Sequence, residues 1–200
     1  MTPADFVVKA VAVAMAALGD CDGTTVSRKH EPHGPPELYE QMAWEATKMA
    51  RDASAWCGYV VPPEIAWTTM LAEGGAHNLN RDHVRDPMHR STGFFAMRPS
   101  CYSKFSRRAE LPCPTREMFP DRDEWSLEVC AFNRDHPLYQ VRVYFAAAAF
   151  YLRQEGGRVD RFFSIWRWGY PTARDYPAAC ERIWRGRFGT YPKDGQLARR

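Results

Sequence analysis

The sequence predicts a mainly α-helical domain with one long loop-rich insertion and an apolar helix at its N-terminus. Apolar residues recur at helical spacing in successive stretches of the chain, and prolines or glycines bound most of these stretches. The 200 residues, of which 45% are hydrophobic and 26% are charged, are enough for one domain with a real core. This composition excludes a largely disordered chain, a collagen and a coiled coil.

The N-terminal segment from Phe6 to Leu18 is an apolar run that Lys9 interrupts. It is too short to span a bilayer, and the residues before it lack the basic character of a secretion signal. We therefore expect a helix of the mature protein that docks on this domain, on a partner or on a membrane surface, with an uncleaved signal-like segment as the alternative. We assign residues 1–35 to this helix and a linker, and residues 36–200 to the main domain.

Two helices are predicted at the start of the main domain. The first runs from Pro36 to about Trp56, because proline is favoured in the first turn of a helix and Gly58 ends it. The second follows a proline pair, carries apolar residues from Ile65 onwards and ends at Glu73, because two glycines come next.

The second half of the domain begins with residues 74–122, which we predict to be mostly loop because prolines are frequent there and no alternation typical of a strand is sustained. Helical patterns return after this insertion. They cover Arg122 to Phe132, Pro137 to Gln154, Arg158 to Trp168, and Ala173 to about Phe188.

Charge, cysteine and histidine patterns exclude several functions. The net charge is only +3 and acidic residues alternate with basic ones, so no nucleic-acid partner is expected. The six cysteines are irregularly spaced, which argues against a zinc ribbon, and Cys101 with Cys113 is the first candidate for a disulfide. His77, His83 and His89 are six residues apart, a spacing that fits no compact zinc site. We expect neither a metal nor another cofactor.

Glu73 is the candidate for acid–base chemistry. It is the only carboxylate between Ile65 and Ala76, and it lies at the C-terminal end of an apolar helix. Apolar neighbours and the negative end of the helix dipole both predict a raised pKa for this carboxyl group. A protonated Glu near neutral pH is what general acid catalysis of glycosidic cleavage requires. The alternative is a solvent-facing Glu at a helix end.

Five short segments, taken in order, resemble the lytic transglycosylase and goose-type lysozyme superfamily over roughly residues 58–188. The segments are Val61 to Glu73, Ser91 to Pro99, Asp135-His136-Pro137 followed by Tyr144 to Leu152, Phe162 to Gly169, and Thr172 to Ile183. In the second of these segments, Gly93 and Pro99 fall on the family's Gly and Pro.

This resemblance implies a lysozyme-like fold and cleavage of the MurNAc–GlcNAc bond of peptidoglycan, in the cell envelope or periplasm. Glu73 would be the general acid and then the base of a lytic transglycosylase, whereas a goose-type lysozyme would add a second acid from the loop, with Asp82 and Asp86 as candidates. The implied substrate-binding residues are Gly93, Phe94, Phe95, Met97, Arg98, Tyr102, Trp166, Arg167 and Tyr176.

The chain departs from the family pattern at polar positions. Ala96 stands where the family has Gln, Trp166-Arg167 stands where it has Tyr-Asn, and Gly74 stands where it has Ser. These departures keep a second hypothesis open, a catalytically inactive lysozyme-fold component of a phage virion or a secretion machine. The atypical N-terminal helix is also compatible with an active enzyme that a phage particle delivers.

Overall fold

The computed structural model describes residues 1–19, 35–73 and 93–200. This part of the chain is mainly helical, as the sequence predicts, with eight α-helices and no β-strand. The helices are α1 (Pro3–Gly19), α2 (Pro36–Cys57), α3 (Glu64–Ala72), α4 (Pro99–Arg108), α5 (Arg122–Asp135), α6 (Pro137–Gln154), α7 (Val159–Trp168) and α8 (Asp175–Arg187). A 3-10 turn at Lys193–Gly195 follows α8.

Prolines and glycines set the helix boundaries where the sequence predicted them. Helix α2 begins at Pro36 and ends before Gly58. The Gly58 N–H still donates to the Ser54 carbonyl at 3.0 Å, and the φ of 82° at Gly58 then turns the chain out of the helix. Helix α7 ends in the same way at Gly169, with φ of 81°. The predicted bounds of α6, Pro137 and Gln154, are confirmed.

Helix α6 forms the centre of the core. Its residues Ala146–Ala149 are all buried, and α2 packs along α6 with small residues of its own, so the two backbones approach closely. Helices α3, α4, α5 and α7 also contact α6, and α8 packs against α3 and α7. This arrangement brings the C-terminal end of α3 next to α7.

Helix α1 packs on the main domain. Phe6, Val7, Ala10, Val13 and Ala14 are buried, which places them on one face of the helix. The indole Nε1 of Trp67 donates a hydrogen bond of 3.0 Å to the carbonyl oxygen of Ala10. No helix in the ranges that the structure describes has both the length and the apolar character needed to cross a membrane.

The C-terminal residues are joined to the body of the domain by backbone hydrogen bonds. The Val60 N–H donates to the Ala198 carbonyl at 2.8 Å, and the Arg200 N–H donates to the Gly58 carbonyl at 3.0 Å. The Leu197 N–H donates to the Gly157 carbonyl at 3.0 Å. These bonds tie the end of the chain to the loops after α2 and α6.

Part of the predicted loop-rich insertion is helical, so the prediction of mostly loop was wrong for α4. Pro99 occupies the first turn of this helix, where a missing N–H is tolerated. Tyr102 and Phe105 are buried on one face, and their rings contact Tyr139 and Phe150 of α6. Packing against α6 therefore stabilises this helix within a segment where prolines are frequent.

The cysteines whose side chains are described are free thiols. Cys101 and Cys113 form no disulfide, so the pairing suspected from their spacing was wrong. Burial raises the pKa of the Cys101 thiol to about 12, which leaves it protonated and a poor nucleophile at neutral pH.

Candidate functional site

An open cleft of about 350 Å³ lies between the end of α3, the segment 96–98, α4, α6 and α7. Its lining combines aromatic rings, three cationic side chains and one carboxylate. The described lining residues are Glu73, Ala96, Met97, Arg98, Ser100, Cys101, Lys104, Phe105, Tyr151, Ile165, Trp166, Arg167, Trp168 and Gly169.

Glu73 follows the last residue of α3 and is the only carboxylate among these described lining residues. Its backbone N–H still donates to the Thr69 carbonyl at 2.9 Å, so its position is fixed by the helix. Only 5% of its side chain is exposed. The prediction of a solvent-facing Glu at a helix end therefore does not describe Glu73.

Arg167 is the cation that contacts Glu73. Its Nη1 donates a hydrogen bond of 3.0 Å to Oε2 of the carboxylate, although 94 positions separate the two residues in the chain. The Arg167 side chain is 48% exposed, and its guanidinium carbon lies 5.5 Å from the ring centroid of Trp168. Burial disfavours the charged form of Glu73 and the guanidinium favours it, so the two effects oppose each other.

A buried group of hydroxyls lies behind Glu73. The hydroxyl oxygens of Thr69 and Tyr144 are 2.7 Å apart, and each lies 3.0 Å from the Ile65 carbonyl oxygen. Burial raises the pKa of Tyr144 well above its ordinary value, and the nearby charges of Cys180 and Glu73 add to this effect. The hydroxyl therefore stays neutral and keeps its proton.

Tyr176 of α8 is buried beside Glu73. Burial is the largest cause that raises the pKa of Tyr176 far above its ordinary value, and the neighbouring Glu73 carboxylate adds to this effect. The phenol therefore stays neutral. Tyr176 thus contributes to the wall that encloses the carboxyl group rather than to the surface of the cleft.

A tight turn over residues 93–96 carries the chain into the cleft. Gly93 has a φ of 77°, and the Phe94 N–H donates a buried hydrogen bond of 2.8 Å to Oε1 of Gln140 on α6. Trp166 fixes the next part of the turn, because its indole Nε1 donates to the Phe95 carbonyl at 3.2 Å. These bonds hold the segment that supplies Met97 and Arg98 to the cleft.

The structure brings together some of the site residues that the sequence pointed to and separates others. Glu73, Met97, Arg98, Trp166 and Arg167 all line the cleft. The possible second acids, Asp82 and Asp86, lie outside the described residues, as do the three histidines weighed as zinc ligands.

Phe94, Phe95 and Tyr102 are placed differently from the expectation that they contact substrate. All three are fully enclosed. Phe94 lies against Tyr39 with ring centroids 6.0 Å apart, and Phe95 stacks on Tyr144 at 4.5 Å. These aromatic residues belong to the core, because burying their apolar rings stabilises the turn and α4.

Several cleft residues were not identified from the sequence. Ser100, Cys101, Lys104 and Phe105 face the cleft from α4, and Tyr151 adds to its aromatic wall. Once a helix is recognised at 99–108, the spacing of Ser100 to Lys104 and of Cys101 to Phe105 places these residues on one face. That signal was missed because the segment was interpreted as loop.

The described part of the chain contains no group of three His, Cys, Asp or Glu side chains that could hold a metal ion. No protein-family model matches the chain, and searches of the curated proteins and of the solved structures found no match either.

Proposed function

We propose that this protein is a lytic transglycosylase with a lysozyme-like fold that cleaves the MurNAc–GlcNAc bond of peptidoglycan in the cell envelope. One observation carries the proposal: Glu73, with 5% of its side chain exposed, borders an open cleft as the only carboxylate among its described lining residues. A single carboxyl group is sufficient for this reaction, because the substrate supplies its own nucleophile.

Glu73 acts twice in the proposed mechanism. Its carboxyl group first donates a proton to the leaving O4 as the C1–O4 bond breaks. The resulting carboxylate then takes the proton from the muramoyl O6 hydroxyl as O6 bonds to C1. The products are a 1,6-anhydro end and a free O4 hydroxyl, Glu73 regains its proton, and no water is consumed.

Arg167 determines when Glu73 can hold a proton. The guanidinium at 3.0 Å stabilises the carboxylate form, so the acid step requires this contact to open. The Arg167 side chain is half exposed and is held by one hydrogen bond to Glu73 and by its contact with Trp168, so a bound substrate has room to displace it.

The aromatic residues of the cleft fit a saccharide ligand. Trp166 is half-buried and Trp168 is 46% exposed, and both line the same cleft as Glu73. Indole rings in such positions present apolar faces to the C–H groups of a sugar ring. Glycan strands of peptidoglycan are therefore the proposed partner, with neither a nucleic acid nor a cofactor in the reaction.

A second candidate is a catalytically inactive lysozyme-fold component of a phage virion or secretion machine that binds the cell wall. The Glu73–Arg167 pair favours it, because the carboxylate already has a cationic partner at 3.0 Å. Ala96 also lines the cleft with a methyl group where the family resembled has an amide.

Digestion of purified peptidoglycan sacculi, followed by mass analysis of the released muropeptides, tests the proposal. The wild-type protein should release anhydro-ended products, which are lighter by one water, about 18 Da, than products of hydrolysis. The Glu73→Gln variant should release none, because the amide cannot transfer the proton.

The matched control is Glu45→Gln. Glu45 is also a largely buried carboxylate paired with an arginine, Arg142, but it lies on α2 and does not line the cleft. This variant should keep full activity. Products with reducing ends would instead indicate hydrolysis, and Asp82 and Asp86 would be the next residues to replace. No release of muropeptides by folded wild-type protein would favour the inactive component.

A further inference from the structure

Among the described residues that line the cleft, positive charges outnumber negative ones. These residues include three cations, Arg98, Lys104 and Arg167, and one carboxylate, that of Glu73. Arg167 is paired with Glu73. Within the described ranges Arg98 and Lys104 form no ion pair, so two positive charges in the cleft have no neutralising partner from those parts of the chain.

The two unpaired cations are positioned by α4. Arg98 is the residue before the helix, and Lys104 lies one turn after Ser100, on the face that lines the cleft. The Lys104 Nζ is 5.0 Å from the ring centroid of Phe105 and 5.8 Å from that of Tyr151, and both rings line the cleft. It is also 4.6 Å from the ring centroid of Phe150, which does not line the cleft. The contacts with Phe105 and Tyr151 hold the ammonium group at the edge of the cleft's aromatic wall.

We propose that Arg98 and Lys104 select glycan strands that carry free carboxylates beside the bond to be cleaved, in preference to neutral glycans. This inference rests on the proposed function and specifies its substrate class: peptidoglycan whose peptide stems are present and whose carboxyl groups are not amidated. Charge-assisted hydrogen bonds from arginine and lysine to carboxylate are stronger than those between neutral groups, so they can decide between two glycans with the same sugar backbone.

The charge distribution favours a carboxylate-bearing glycan over nucleic acid. The phosphate groups of a nucleic-acid strand in this cleft would lie close to the Glu73 carboxylate, which would repel them. The net charge of the chain is also only +3, which gives little general attraction to nucleic acid. A glycan presents carboxylates only on its side groups, so the uncharged sugar backbone can lie beside Glu73 while the side groups reach Arg98 and Lys104.

Co-sedimentation with insoluble sacculi tests the selection independently of cleavage. The full-length protein is mixed in the cold with native sacculi and with sacculi whose carboxyl groups have been coupled to a neutral amine. The proteins compared are the wild type, the double variant Arg98→Gln/Lys104→Gln and the control Arg182→Gln. Arg182 is an exposed residue of α8 that does not line the cleft and carries the same charge.

The wild type and Arg182→Gln should bind native sacculi roughly tenfold more tightly than amidated sacculi, and the double variant should bind both preparations equally. Equal binding of the wild type to both preparations would overturn the proposal, as would a double variant that keeps the preference. Tighter binding to a single-stranded DNA oligonucleotide than to native sacculi would also overturn it.

The same samples separate this inference from the proposed function. Carboxylate-dependent binding without release of muropeptides would leave the selection by Arg98 and Lys104 intact and would refute catalysis. Release of anhydro muropeptides at equal rates from native and amidated sacculi would support catalysis and refute the selection by Arg98 and Lys104.

Discussion

Gly93→Ala should destabilise the domain because the turn that leads into the cleft has no room for a side chain. The φ of 77° at this position costs an alanine about 1–2 kcal/mol. An added Cβ would lie 2.6 Å from Cδ and 2.9 Å from Nε2 of the buried Gln140 side chain, which must then move. Moving it breaks the 2.8 Å bond from the Phe94 N–H, and an unsatisfied buried donor costs about 1–3 kcal/mol.

The sum is a loss of about 2–5 kcal/mol in the free energy of unfolding, which urea denaturation followed by circular dichroism can measure. Gly58→Ala is the matched control, because Gly58 has the same left-handed backbone, with φ of 82°, and no atom within 4 Å of an added Cβ. It should lose only the backbone contribution. Equal destabilisation by the two variants would show that Gln140 accommodates the methyl group and that the steric argument is wrong.

Two further predictions concern the N-terminal half. Phe6→Ala should lower the free energy of unfolding by about 3–5 kcal/mol, because the Phe6 ring is 1% exposed and its centroid lies 5.5 Å from that of Trp67. Val8 is 72% exposed, so the control Val8→Ala should change the free energy of unfolding by less than about 0.5 kcal/mol. Similar small effects of both changes in urea denaturation would contradict the docking of α1. Burial raises the pKa of Glu64 above its ordinary value of 4.5, so the wild type loses stability as the pH rises through the raised pKa. Glu64→Gln should remove that loss, and its stability relative to the wild type should therefore increase as the pH rises above about 4.5. A difference that does not vary with pH would contradict the assignment.

Much of the helical framework could be predicted because its signals are local. Pro36 and Gly58 delimit α2 through the backbone conformations that proline and glycine allow, and these conformations depend little on the rest of the chain. The apolar stripe of α6 likewise follows from the 3.6-residue period. Helix α4 was missed because the frequent prolines of the insertion were given more weight than its own helical spacing. Its packing on α6 through Tyr102 and Phe105 joins segments far apart in the sequence.

The candidate site was predictable only in part. The sequence singled out Glu73 as an acid at the end of an apolar helix, and that position requires no knowledge of the fold. It could not distinguish aromatic residues of the core from those of the cleft. Phe95 and Trp166 have similar local surroundings in the sequence, yet one is fully buried and the other lines the cleft.

The sequence by itself thus determined the helical class of this protein and the limits of most of its helices, and it singled out Glu73 as a candidate acid. The tertiary structure alone decided that Arg167 meets Glu73 across 94 positions and that α4 brings Arg98 and Lys104 into the same cleft. The physical reason is that backbone preferences and hydrophobic periodicity act over a few residues. Burial and charge pairing, by contrast, depend on which distant surfaces pack together.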